Sequence, residues 1–241
     1  MIACYILDMK KWLKILILVL VIGVLAGFLF QKQIISTVVY AVAMNSIADN
    51  QQVYIVPKSY ELLDTAQVTY SSIEVDTIRV PLLFEQESFD EGDFGYQAIG
   101  EEKSVVVLRN PPNVWEGLAQ GLEGAERESM CAAYQAASGV TACDSEYDFL
   151  RALFFTTPEN THWYSAANKK IGFSLLVVLK STYGNPAKEF VSGEKQGFIS
   201  ESENGSIVEL FFSDEQYYQI LFTGYAEAER DYTIANIEVI E

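Results

Sequence analysis

From Trp12 to Phe30 the chain reads WLKILILVLVIGVLAGFLF, apolar at every position but Lys14. A bilayer core of about 30 Å takes roughly 20 residues of helix. The run therefore predicts a membrane-spanning helix over 12–30, which satisfies its own backbone hydrogen bonds in lipid. Lys14, one turn in, can carry its ammonium back to the headgroups, and Trp12 suits the interfacial belt. Beyond it, Ile34, Ile35, Val38, Val39, Val42 and Ala43 recur at helical spacing. Residues 31–50 are thus expected as a helical stalk or an interfacial segment.

After residue 50 the pattern changes. Val53–Val56 is expected as an extended entry and Ser59–Leu63 as a turn of helix. Ser72–Pro81, SIEVDTIRVP, alternates with one irregular step and predicts a single strand, and Glu87–Asp93 predicts a charged turn around Gly92. Phe94–Ile99 and Ser104–Arg109 read as two strands joined by Gly100-Glu101-Glu102, with Asn110-Pro111-Pro112 ending the sheet. The middle is helical. Val114, Trp115, Leu118 and Leu122 recur every three or four residues, Met130–Ala137 is Ala-rich, and Ser145 with Asp148 resembles a cap ahead of Tyr147–Phe155. Ser165–Tyr183 predicts a buried helix stopped by Gly184 and Pro186. Strands return over Phe190–Ser200, Ser206–Phe212 and Tyr217–Tyr225, with Asn204-Gly205 as a tight turn, and Tyr232–Ile240 reads equally as helix or strand. The order strand-rich, helix-rich, strand-rich argues an α+β domain over 51–241, an antiparallel sheet flanked by helices.

The run of a helix ending in LKSTYG, then EFVSGEKQGFISE, SIVELFF, YYQILFTG and a closing IANIEVI resembles the Mog1/PsbP-like fold over about residues 150–240. That resemblance implies an antiparallel sheet flanked by helices and a binding or assembly role without catalysis. It transfers no functional residue, because it rests on element order.

Charge fixes the orientation. Lys10, Lys11 and Lys14 stand at the entry to the apolar run and only Lys32 just after its exit, which places residues 1–11 in the cytoplasm and the rest of the chain outside it. MKKWLK from Met9 also reads as a start, beside Met1. A cleaved signal is the rival, with Ala41-Val42-Ala43 as its small-x-small site. That site lies far past Phe30 and the apolar core is long for a signal, so an uncleaved anchor in the inner (plasma) membrane is expected. Leu25-Ala26-Gly27 is followed by Phe28 where a lipidated cysteine would be needed. Gly23 and Gly27 form a small-xxx-small pair, a candidate dimer face.

The net charge is −17, and residues 33–241 hold 32 of the 33 acids but only 12 of the 16 bases. Such a surface repels phosphate backbones and anionic lipid, which excludes nucleic acid as a partner and holds the domain off the bilayer. Cys131 and Cys143 fall in the extracytoplasmic part, and a disulfide between them is expected, with buried thiols as the alternative. They lack zinc spacing with His162, the single histidine, and no metal or cofactor is expected. His162 lacks a nucleophile elbow to serve, and Asp90, Glu91 and Asp93 lack the spacing of a calcium loop. The sequon Asn204-Gly205-Ser206 reads as a turn. Adjacent aromatics point to opposite faces of a strand, so Phe211, Phe212, Tyr217, Tyr218 and Phe222 cannot all enter one core; they are the candidate binding surface. The expected protein is a non-enzymatic extracytoplasmic binding or assembly module with a protein partner. The alternatives are a membrane-anchored hydrolase with a non-standard site and a structural stalk domain that dimerises.

Overall fold

The computed structural model describes residues 57–92, 95–108, 145–155, 187–212 and 216–240 continuously, and 34–35, 37–38, 41–42, 111, 124, 127–128, 131–132, 135 and 180 as single residues or pairs. The expected spanning helix at 12–30, Gly23 and Gly27, Val53–Val56, Asp93, Cys143, His162 and nearly all of 165–183 lie outside these residues. Among the described residues no helix is long and apolar enough to cross a membrane. Residues 34–35, 37–38 and 41–42 are helical.

The class is α+β. Strands β1 (Lys58–Tyr60), β2 (Ser71–Val75), β3 (Ile78–Leu82), β4 (Ser88–Gly92), β5 (Gly95–Ile99) and β6 (Ser104–Leu108) precede helix α1 (Glu146–Phe155). Then come β7 (Ala187–Ser192), β8 (Lys195–Ser202), β9 (Gly205–Phe212), β10 (Tyr217–Thr223), helix α2 (Glu227–Ala235) and β11 (Glu238–Val239). Eight strands form one sheet in the order β1-β7-β8-β9-β10-β6-β5-β4, and three form a second, β11-β3-β2. The large sheet is mixed rather than purely antiparallel, because β1 runs parallel to β7.

Several local differences from the sequence reading have plain causes. The irregular step in Ser72–Pro81 is a two-residue turn: Asp76 adopts φ 52°, a left-handed conformation Asp tolerates, and the one expected strand is the hairpin β2–β3. Likewise Phe190–Ser200 divides into β7 and β8 around Gly193 at φ 62°. The acidic stretch expected as a turn around Gly92 is strand β4, paired along β5 from Ser88↔Ile99 to Gly92↔Gly95. Ser59 lies in β1, not in a helical turn. The C-terminal segment holds both readings, a helix followed by a short strand. The α1 cap is as expected, with Ser145 Oγ accepting the Asp148 N–H at 3.1 Å.

Alternation then sorts the large sheet's two faces. One face carries Val105, Val107, Ile199, Val208, Leu210, Ile220 and Phe222, and it packs with Val75, Ile78, Val80 and Leu82 of the small sheet and Ile234 of α2 in one core. The opposite face presents Phe198 and Phe211 to α1, through Tyr147 stacked on Phe198 at 5.4 Å and Phe154 at 5.0 Å. Arg151 (2.8 Å) and Tyr147 (3.0 Å) of α1 both reach Glu189 of β7. On the first face Lys195 of β8 donates to the carbonyls of Ile234, Ala235 and Ile237, satisfying the end of α2 with a cation.

Gly197 is where two strands come closest. A Cβ there would sit 1.9 Å from the Glu209 carbonyl oxygen, which is backbone and cannot swing aside. Gly193 has open space around it. Gly197→Ala is expected to lower stability by about 1–3 kcal/mol or more, and by more than Gly193→Ala does, as read from urea-denaturation midpoints of the full chain in detergent.

Candidate interaction surface

Buried charge marks the place where β1 meets α2. Arg230 is 2% exposed and Asp231 fully buried. Arg230 donates to Asp231 Oδ1 from Nε at 3.0 Å and from Nη2 at 2.7 Å, and pairs with Glu201 of β8. The other Asp231 oxygen accepts the Tyr60 hydroxyl and the Leu63 backbone N–H, the latter at 3.1 Å. Tyr60 also donates to Glu227 at 3.0 Å, Lys188 donates to Glu227 at 2.6 Å, and the Lys188 ammonium lies 4.5 Å from the centre of the Tyr60 ring.

Burial, then the acceptors Asp231 and Glu227, push the Tyr60 phenol above its ordinary range and keep it a donor. Burial opposes the charge of Arg230, but Asp231 and Glu201 outweigh it and hold the guanidinium protonated. Lys188 and Tyr60 draw Glu227 below the usual carboxylate range. Every charged partner in this cluster is matched by another, so its chemistry is that of a fastener. It ties residues 60–63 to α2 and leaves no group aimed at a substrate.

The fastener fixes one end of an exposed strip, and the β2–β3 hairpin fixes the other. Between them residues 61–70 form no helix or strand. Leu62 packs against the core, while Leu63 (43%), Val68 (72%) and Tyr70 (63%) stand in solvent. Residues 61–76 contain Glu61, Asp64, Glu74 and Asp76 and no Lys or Arg. The nearest base across the sheet, Arg79, bonds Glu74 at 2.9 Å and Glu238 at 3.5 Å. Both the open apolar side chains and the one-signed charge distinguish this strip from an ordinary solvated loop.

The aromatic residues singled out from the sequence divide between the two faces as alternation requires. Phe212, Tyr218 and Phe222 lie in the core between the sheets. Phe211 faces the other way, only 4% exposed, with Tyr217 stacked on it at 4.6 Å and Tyr147 of α1 at 5.4 Å. Four of these five rings are therefore covered by the chain itself; among the described residues of the sheets and their connections, Leu63, Val68 and Tyr70 stand exposed close together in sequence, and Phe89, Val191, Ile207 and Val239 singly. Beside them Glu209, 3% exposed, accepts from Tyr217 at 2.6 Å and Gln219 at 2.8 Å. Burial raises its pKa, and the two hydrogen bonds only partly offset that.

Cys131 is a half-buried helical residue, and Cys143 lies outside the described residues. Asp90 and Glu91 fall on opposite faces of β4, and Glu91 accepts the Tyr96 hydroxyl at 3.0 Å. Among the described residues no group of three or more His, Cys, Asp or Glu is placed to hold a metal. Tyr60, Glu201, Arg230 and Asp231 were not legible as a unit, since the sequence shows only scattered charges; the adjacent Arg230-Asp231 pair inside an otherwise amphipathic helix is the one local sign. No protein-family model, curated protein or solved structure matches the chain.

Asp231→Ala leaves a buried guanidinium without its closest partner, with an expected loss of about 3–5 kcal/mol, measurable as a lower denaturation midpoint. For Glu209 the folded-state pKa is raised, so its favourable contribution is complete below the ordinary Glu value of about 4.3 and is lost as pH rises through the folded value. The stability of Glu209→Gln relative to the native chain is therefore expected to improve as pH is raised from ~4 toward neutrality. Denaturation midpoints of both proteins across that range check the sign.

Proposed function

We propose that this chain is a membrane-tethered, non-enzymatic module that binds a protein partner, or helps to assemble one, outside the cytoplasm. One observation carries the binding role: the acidic strip of residues 61–76, pinned at Tyr60 and Leu63 by the Asp231 carboxylate and exposing Leu63, Val68 and Tyr70. A pinned strip gives up little conformational freedom on binding, which favours recognition over mere solvation. The tether rests on the apolar run 12–30 and on the lysines before it. It is supported by the helical residues that follow, where Ile34, Ile35, Val38 and Val42 are 51–67% exposed and thus not covered by the folded domain. The reading pairs Cys131 with Cys143, in a compartment where disulfides persist. The Mog1/PsbP-like resemblance belongs to the same reading; the uninterrupted meander β7–β10 followed by α2 supports its element order.

A photo-crosslinking amino acid placed at Tyr70 is expected to give a discrete protein adduct in membranes of the source cells. The same group at Val191, 67% exposed on the far face of the large sheet, should give none. A chain that forms no adduct from position 70 does not bind a protein through this strip.

A further inference from the structure

Resting on the binding role just proposed, we infer that the open edge of β2 takes an extended, cationic segment of the partner protein as a fourth strand of the small sheet. The sheet runs β11-β3-β2, so among the described residues β2 is paired on one side only. Pro81 stands opposite Ser72 in the hairpin and has no N–H to give. Ser72↔Pro81 is therefore a non-hydrogen-bonded pair, and the Ser72 backbone N–H and carbonyl turn away from β3. Alternation sends those of Glu74 the same way. The outward groups stand at an exposed edge, since Ser71, Ser72 and Glu74 are all exposed. An unpaired row of this kind is a template for another strand, and Ser71 and Ser72 are small enough to let a backbone approach.

Charge chooses the occupant. The strip from 61 to 76 has four acids and no base, and Arg79 is already shared between Glu74 and Glu238. A segment with Lys or Arg at alternate positions meets Glu74 on β2, with Asp76 just after the strand and Glu61 and Asp64 before it in the chain. Apolar residues between them meet Val68 and Tyr70, exposed just upstream of β2. A second copy of this chain would bring the same acids to the edge, on a molecule of net charge −17, and is disfavoured. Of the other edge strands, β1 carries Lys58, β11 is only two residues long, and β4 is acidic but offers one large exposed apolar side chain, Phe89, already packed on Tyr96 at 5.9 Å.

The test uses the full chain in lipid nanodiscs with a short synthetic peptide alternating valine and lysine, and hydrogen exchange read at single-residue resolution. Saturating peptide is expected to slow exchange of the Ser72 and Glu74 amides by about tenfold or more, with the outward Phe89 amide of β4 unchanged. A peptide N-methylated on the amides of one edge loses the protection, and one with glutamate in place of lysine gives none. Unchanged exchange at Ser72 and Glu74 overturns strand addition, even where crosslinking at Tyr70 has succeeded. Protection at β4 instead, or equal protection by the glutamate peptide, overturns the choice of edge or of charge. Failure of the crosslink alone counts against the binding role beneath it, so the two results separate.

Discussion

An eight-stranded sheet exposes two faces, and alternation along its strands makes one of them apolar almost without interruption. Val105 and Val107 of β6, Val208 and Leu210 of β9, and Ile220 and Phe222 of β10 lie side by side there. At about 25 cal/mol for each Å² of apolar surface removed from water, leaving that face open would cost far more than a domain's net stability. The small sheet and α2 are what cover it. Because β2 and β3 cover it with Ile73, Val75, Ile78, Val80 and Leu82, their inner faces are committed to the core. On their outer side Ser71, Ser72 and Glu74 of β2 are exposed, and among the described residues the far edge of β2 pairs with no strand. The proposed surface is thus a by-product of how the large sheet is capped.

The buried charges serve the same arrangement. Ion pairs removed from water recover their desolvation cost only when fully matched. The Arg230–Asp231–Tyr60 cluster meets that condition, with Glu201, Glu227 and Lys188 around it. Pairing with β7 holds residues 58–60 but ends at Tyr60, so it does not fix the chain beyond. Directional bonds from Asp231 to the Tyr60 hydroxyl and the Leu63 N–H fix its place. That fixity turns residues 61–70 from a loose connection into a presented strip. On the opposite face Tyr147, Arg151 and Glu189 hold α1 in a comparable way, over the stacked rings of Phe198, Phe211 and Tyr217.

A net negative charge and an edge unpaired among the described residues act together. The acids keep the exposed strands of like-charged copies apart, a common defence of edges against self-pairing. The same acids would favour the basic partner proposed above, and through-space attraction would raise its rate of encounter.

Local signals sufficed where one residue's chemistry decides the backbone. Ser145 capped α1 as its spacing foretold, the Gly100-Glu101-Glu102 hairpin joined β5 to β6, and Gly205 opened β9 after a tight turn. Period-two alternation gave the α+β class, and the split of Phe211 from Phe212 and of Tyr217 from Tyr218 follows from it. What alternation cannot say is which face another element will cover, so rings that had to leave the main core looked like a free surface until α1 proved to lie on them. Nor can a linear reading see that Asp76 turns the chain, because a left-handed residue costs Asp little and leaves the hydrophobic period nearly intact. Tyr60, Glu201 and Arg230 lie far apart in sequence, and burial alone converts them from solvated charges into a single cluster. Composition thus determined the charge, the apolar run and most strands, whereas only the folded chain decided which acids are buried and which strand edges are left unpaired among the described residues, because both depend on contacts between segments far apart in sequence.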